Sequence, residues 1–235
     1  MSEIPTILVV DDDRSIAQLL KDFLENEQYQ VVTASDAMQA WTLFQQHTIH
    51  CMILDIMMPG ENGFDLCRRI RMESQVPILF LSARSDDVDK IRGFTLGGDD
   101  YIVKTASPGE IVARVKAVLR RAGTAPTTAT AQSSKRQVLD YGRLKLDIAT
   151  REVFLDQTTI SLTPREFELL QLFMEHPKQV FTYDQLLAKF WEGIGDKHTI
   201  RVHLSRIREK IEIEPDKPQY LTNVWGVGYR FEDLK

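Results

Sequence analysis

The chain has 235 residues, a net charge of −5, 43% hydrophobic and 27% charged residues, so it can form one large domain or two ordinary ones without disulfide or metal staples. Its apolar runs fall far short of the roughly 20 residues that span a bilayer, and Met1-Ser2-Glu3-Ile4-Pro5 has no basic region leading into a signal sequence; a cytoplasmic protein with no membrane attachment is expected. Cys51 and Cys67 lack paired spacing and read as reduced structural residues, the histidines show no metal-ligand spacing, and both halves are net acidic, so total charge gives no support for nucleic acid.

Residues 6–121 alternate apolar runs with amphipathic segments. Ile7-Leu8-Val9-Val10 reads as a buried strand, and after Asp11-Asp12-Asp13 the residues Ile16, Leu19, Leu20, Phe23 and Leu24 recur at helical spacing. The cycle repeats at 29–34 with 37–44, at 51–55 with 64–71, at 77–82 with 86–97 and at 101–104 with 108–121. Such strand-helix units predict an α/β fold of the flavodoxin-like kind, a five-stranded parallel sheet in the order 2-1-3-4-5 with helices on both faces.

The run Cys51 to Asp55, followed by Pro59-Gly60, leaves Asp55 at the carboxyl end of a strand buried on both faces. Taken alone, Asp55 is as well explained as the polar end of a strand. The other strands change that reading: the first ends in Asp11 and Asp12, the fourth in Ser82 and the fifth in Lys104, and in a parallel sheet all of these share one edge. Carboxylates held together need a cation between them, and a hard, oxygen-seeking ion such as Mg²⁺ suits them. An Asp carboxylate can attack phosphorus to form an acyl phosphate. Mg²⁺ at Asp11, Asp12 and Asp55 would neutralise the incoming phosphoryl group, Lys104 would pair with another of its oxygens, and Ser82 would donate to a third.

Val10-Asp11-Asp12, Leu54-Asp55 with Met58-Pro59-Gly60, Leu81-Ser82-Ala83, and Gly98-Asp99-Asp100-Tyr101-Ile102 with Lys104 resemble the receiver domain of two-component response regulators. The resemblance implies that Asp55 accepts phosphate from a phosphohistidine on a sensor histidine kinase. It implies Mg²⁺ at Asp11, Asp12, Asp55 and the backbone carbonyl of Met57, and a switch in which Ser82 and Tyr101 reorient together; Tyr101 is otherwise a core aromatic. Where the family usually has Lys-Pro-Phe, this chain has Lys104-Thr105-Ala106. A cis bond before Thr would cost about 3–4 kcal/mol, so either that cost is borne or the loop runs differently. Ser107-Pro108-Gly109-Glu110 supplies a helix start with Ser as N-cap and Glu reaching back. Lys90, Asp99, Asp100, Glu110, Arg114 and Arg121 match positions where OmpR/PhoB-type regulators pair across a receiver homodimer: Lys90 with Glu110, Asp99 with Arg121, Asp100 with Arg114. A plain solvated face is the alternative.

Residues 122–137, rich in Ala, Thr, Ser and Gln, read as a flexible tether with a root-mean-square span of roughly 20–24 Å. Short strands are expected at 142–146, 152–155 and 159–162. Thr163-Pro164-Arg165-Glu166 and Thr182-Tyr183-Asp184-Gln185 are capping boxes opening two helices. A third helix, Lys197 to Ile213, turns Ile200, Leu204, Ile207 and Ile211 to the core and carries a cation cluster, with His198, Val202 and Ser205 opposite, flanked by Arg201, Arg206 and Arg208. Val amid cations suits a major groove, where it can meet a thymine methyl while Arg reaches guanine or phosphate; a basic surface helix is the alternative. Tyr220 to Phe231 alternates toward Gly226 and Gly228, a hairpin whose glycines permit a tight tip.

This order resembles the α+β winged-helix effector domain of the OmpR/PhoB family over 138–235, which implies binding to double-stranded DNA. Carried over, His203, Arg206 and Arg208 contact DNA, Tyr229 supports the wing at a phosphate, and residues 192–196 face RNA polymerase. His198, Thr199, Arg201, Val202, Ser205 and Trp225 complete the expected surface. Trp225 stands where a wing Arg often enters the minor groove, and Arg201 where an acidic residue is common.

The sequence therefore predicts a receiver at 1–121, a tether at 122–137 and an effector at 138–235, together a phosphorylation-controlled, dimerising transcription regulator on direct-repeat half-sites roughly 10–10.5 bp apart. One rival is a DNA-binding protein whose receiver serves only for dimerisation. Another is a Mg²⁺-dependent phosphatase, which would want a carboxylate where this chain has Met57.

Overall fold

The computed structural model describes residues 4–83, 87–123, 138–191, 193 and 196–234, and excludes the side chains of 87 and 88. Two compact units divide the chain, Met1–Thr128 and Ala129–Lys235. The expected tether lies outside the described residues from 124 to 137, as do 192, 194 and 195 of the loop expected to face RNA polymerase.

In the first unit, β1 (Thr6–Val10), β2 (Gln30–Ala34), β3 (Cys51–Asp55), β4 (Ile78–Ser82) and β5 (Asp100–Val103) form one sheet in the order β2-β1-β3-β4-β5. All its pairings are parallel. β1, β3 and β4 are buried at every position, as continuous apolar runs covered on both faces require. The helices are α1 (Arg14–Asn26), α2 (Ala37–Gln46), α3 (Gly63–Arg71), α4 (Asp87–Thr95) and α5 (Pro108–Arg121). Side chains of Asp13, Asp36, Asn62 and Ser107 accept amides of the first turns of α1, α2, α3 and α5, satisfying donors that a helix leaves open. Glu110 does not complete the box expected with Ser107; its carboxylate takes Arg114 at 3.2 Å instead. One core layer joins Leu20 and Leu24 of α1 to Val115, Val118 and Leu119 of α5 beneath β1 and β3.

The second unit opens with an antiparallel sheet, β6 (Val138–Tyr141), β7 (Leu144–Asp147), β8 (Glu152–Leu155) and β9 (Thr158–Ile160), in that order. Then come α6 (Pro164–Glu175), β10 (Val180–Thr182), α7 (Tyr183–Trp191), α8 (Lys197–Ile211), β11 (Leu221–Val224) and β12 (Gly228–Phe231), with strands ordered β10-β12-β11. Both capping boxes form: Thr163 with Glu166, and Thr182 with Gln185 at 3.2 and 2.9 Å. Ile200, Leu204, Ile207 and Ile211 of α8 are buried as a stripe. β6 and β10 were not expected; β6 is half exposed and weakly patterned, and β10 is only three residues long.

Gly226 takes φ +76 at the hairpin tip, as a tight turn needs. Gly228 has a different reason: a Cβ there would collide with the carbonyl oxygen of Phe181, whose strand β10 pairs with β12.

Candidate functional site

Each catalytic candidate of the first unit leaves the sheet on the same edge because β1, β3, β4 and β5 are parallel. Asp55 closes β3 and is 1% exposed, Asp11 follows β1 and is equally buried, Ser82 closes β4 fully buried, and Asp12 is exposed. The carboxylates of Asp11, Asp12 and Asp55 each offer an oxygen within 4.8 Å of the others. Lys104 reaches in from the turn after β5, its Nζ 3.0 Å from Asp55 Oδ2 and 2.8 Å from Asp11 Oδ2. Peptide bonds among the described residues are all trans; Lys104-Thr105 is thus trans, and the turn continues with Ala106 N donating to Val103 O at 2.9 Å. With Thr in place of Pro, the Lys104 ammonium still reaches Asp55 and Asp11.

Burial pushes the Asp11 carboxyl above its usual range, against the hydrogen bond from Lys104 and the amide of Asp13, with the neighbouring Asp55 charge acting in the same direction as burial. For Lys104 burial opposes the charge, but hydrogen bonds to Asp11 and Asp55 outweigh it and hold the ammonium above the ordinary lysine range. Lys104 thus reaches two of the three clustered carboxylates, those of Asp11 and Asp55. An all-oxygen set of three carboxylates, two of them buried, holds more negative charge than one ammonium balances and fits a hard cation such as Mg²⁺.

The loop that carries Asp55 is fixed from below. Met57 N donates to Asp55 Oδ1 at 3.2 Å and Gly63 N to Ile56 O at 3.0 Å. A Cβ at Gly63 would run into the carbonyl oxygen of Asp55. Gly63, at the first position of α3, therefore lets the helix abut the end of β3, a role that the Pro59-Gly60 motif does not announce. Tyr101 is buried on β5, 7% exposed, and packs near Gly93 of α4.

The charges expected on a dimer face have partners within the chain. Arg114 pairs with Asp100 at 3.3 Å and with Glu110 at 3.2 Å; Lys90 and Arg121 are half-buried. Asp99 departs from expectation: it is buried, bonded to Arg71 at 3.2 Å and to the amide of Ile78 at 2.9 Å, because it anchors the loop before β5 to the ends of α3 and β4.

In the second unit α8 exposes Arg201, Ser205 and His198, with Val202 and Arg206 half-buried beside them. Two expected contacts are inside. Thr199 is fully buried, its amide and hydroxyl on the N-cap Asp196 at 2.9 and 3.3 Å, and His203 is buried against Trp191 with ring centroids 5.0 Å apart. They lie beside the Ile200–Ile207 stripe, Thr199 folded back on the N-cap and His203 one turn on, turned toward α7. Arg208 is turned to the hairpin, where Nε and Nη2 donate to Leu221 O at 2.8 and 2.6 Å. Tyr229 is buried and meets Tyr183 edge-on at 5.7 Å. The Arg201 guanidinium lies 5.9 Å from the ring centre of Tyr183, and Lys197 stands 5.3 Å from the same ring. Trp225, at the hairpin tip, is 91% exposed.

This is the architecture of a receiver followed by a winged-helix effector. The family model described as "Response regulator receiver domain" matches residues 7–116, and "Transcriptional regulatory protein, C terminal" matches 157–231. ResD of Bacillus subtilis, named a transcriptional regulatory protein, is 39% identical over 229 residues, covering 96% of this chain and 95% of ResD. SrrA of Staphylococcus aureus is 38% identical with the same shares. The crystal structure of DrrB, a Thermotoga maritima OmpR/PhoB homologue, is 32% identical, covers 98% of this chain and 100% of its own, and has a TM-score of 0.50. A RitR mutant structure, at 24% identity, TM-score 0.65 and shares of 97% and 99%, supports the fold alone. The chain belongs to the OmpR/PhoB family of two-component response regulators. It is a phosphorylation-controlled transcriptional regulator, and whole-length similarity to such regulators disfavours a receiver used only for dimerisation. The family is one of transcription regulators rather than classical enzymes. No described helix is long and apolar enough to cross a membrane.

Proposed function

We propose that Asp55 is the phosphoacceptor. The observation that carries this reading is the placement of Asp55 Oδ2 3.0 Å from Lys104 Nζ, at a buried edge shared with Asp11 and Ser82. The Asp55 carboxylate attacks the phosphorus of a phosphohistidine on the sensor kinase; the new O–P bond forms an acyl phosphate as the N–P bond breaks, and the imidazole leaves with the electron pair and takes up a proton. Lys104 then transfers its hydrogen bond from the carboxylate to a phosphoryl oxygen, and Ser82 donates its hydroxyl to another. Asp11, Asp12, Asp55 and the carbonyl of Met57 would hold Mg²⁺, which when bound supplies charge neutralisation for the phosphoryl group. The receiver catalyses only its own phosphotransfer and slow dephosphorylation.

Ser82 and Tyr101 relay the change to the face of Lys90, Asp100, Glu110, Arg114 and Arg121. Exposed ion pairs contribute about 0–1 kcal/mol each, so partners held within one chain can be exchanged for partners across a homodimer. Two effector domains, joined through a tether at 122–137, then meet double-stranded DNA through α8 and the hairpin at direct-repeat half-sites in the cytoplasm, within reach of RNA polymerase. His198, Arg201, Val202, Ser205, Arg206 and Trp225 form the contacting surface.

The test is incubation with Mg²⁺ and acetyl phosphate followed by intact-mass measurement. A phosphoryl adduct that is absent in Asp55→Asn is expected; an adduct that persists in that variant overturns the assignment, and rapid release of free phosphate with no adduct indicates a phosphatase.

A further inference from the structure

Leu221 opens the hairpin, and both polar groups of its backbone are held by side chains from the end of α8. Its amide donates to Glu212 Oε1 at 2.9 Å, while its carbonyl accepts the Arg208 fork at 2.8 and 2.6 Å. Glu212, buried at the C-cap, takes the amides of Gln219 and Tyr220 as well, at 2.8 and 2.9 Å. Residues 208 and 212 stand one helical turn apart, so both side chains leave the same face and reach the same residue, on either side of its Cα. The Arg208 guanidinium also lies 5.3 Å from the ring centre of Tyr229 on β12, the other strand of the hairpin. One side chain of α8 thus touches both strands.

We propose that Arg208 and Glu212 form a clip that sets the hairpin, and with it Trp225, against α8, so that Arg208 is a positioning residue for DNA binding rather than a contact to phosphate or base. The proposal rests on the reading that α8 and the hairpin bind DNA. The chemistry separates the two roles. A phosphate contact needs only a cation, which Lys retains, whereas two parallel bonds to one carbonyl oxygen from a planar fork need Arg. Removing a phosphate contact also lowers the dependence of binding on salt by about one in log-log slope. Glu212 adds a second distinction: taking away a negative charge beside DNA strengthens binding if charge is all that matters, and weakens it if the carboxylate holds the hairpin.

The experiment uses the full-length chain, a duplex selected by the unsubstituted protein from a random-sequence pool, and binding titrations at several salt concentrations. Arg208→Lys and Arg208→Ala should both weaken binding, by about tenfold for the loss of charge-assisted bonds, with the salt slope unchanged. Glu212→Gln should weaken binding too, and the effect of Arg208→Lys should shrink in a Trp225→Ala background, because both changes act through the hairpin. In the free protein, hydrogen exchange at the Leu221 amide should quicken in Arg208→Lys. The proposal is overturned if Arg208→Lys binds like the unsubstituted protein, if Arg208→Ala lowers the slope by about one, or if Glu212→Gln tightens binding. If the pool yields no duplex, the DNA-binding reading is what fails; exchange at Leu221 still decides the clip, quickened exchange supporting it and unchanged exchange overturning it.

Discussion

The Asp55 site draws together residues as far as 93 positions apart, yet Asp11, Asp55 and Ser82 are buried there; the surface of α8 is made from 15 consecutive residues and shows solvent only some of them. In a parallel sheet the end of a strand is itself a location, and every carboxyl end falls on the same edge. On a helix a residue has a direction rather than a location, and what that direction meets depends on neighbouring elements. Despite this contrast the two regions share a device: Gly63 beside Asp55 and Gly228 beside Phe181 each allow one backbone to press against another.

That shared device predicts the largest effects. Gly63→Ala and Gly228→Ala should each destabilise their own unit by about 3 kcal/mol, the upper end for overpacking, because a carbonyl oxygen has little room to yield. Urea unfolding measures this, and Gly63→Ala should in addition slow adduct formation with acetyl phosphate while Gly228→Ala weakens DNA binding. Tolerance of either change to within about 0.5 kcal/mol would remove the basis for the comparison. Next in size is His203→Ala, expected to destabilise the effector by about 2 kcal/mol through the cavity left beside Trp191, whereas Ser205→Ala on the exposed face should leave stability unchanged. Equal melting temperatures for the two variants would place His203 outside.

A smaller change of opposite sign is expected in the receiver. Asp11→Asn should raise the stability of the metal-free protein, since it removes a charge whose burial is unfavourable next to Asp55, and it should abolish the stabilisation that added Mg²⁺ gives the unsubstituted chain. Thermal unfolding with and without Mg²⁺ checks both parts, and a lower melting temperature in the metal-free variant would contradict them. The least effect belongs to the exposed pair Arg143–Asp156, at 2.8 Å. The hydrogen bond from Arg143 holds the Asp156 carboxyl below its ordinary value, so its small contribution is present above the unfolded carboxylate value near ~3.9 and is lost as pH falls through the lower folded value. Arg143→Ala should therefore lower melting only slightly at pH 7, and the difference from the parent should vanish in acid; a difference that persists unchanged in acid would show that Arg143 acts through something other than this pair.

Much of the receiver was legible in the residues. Strands buried on both faces announce themselves as apolar runs, and Asp11, Asp55, Ser82 and Lys104 needed only the parallel order to converge. The departure at Lys104-Thr105 left the path of the loop open, and the trans peptide with Lys104 still at Asp55 closed the question. β6 and β10 passed unnoticed because short edge strands carry little hydrophobic pattern. The burial of Asp99 was not legible, because a carboxylate in a run of charges looks solvent-facing and its partner Arg71 sits 28 positions away.

By itself the sequence determined the fold class, the strand edge on which the acidic residues gather and the buried stripe of α8, because these follow from periodicities local to each element. Only the tertiary structure decided which residues beside that stripe are covered and which are open. Thr199 and His203 went inward and Arg208 was drawn to Leu221, since burial and hydrogen-bond partners come from residues remote in the chain, which no local period encodes.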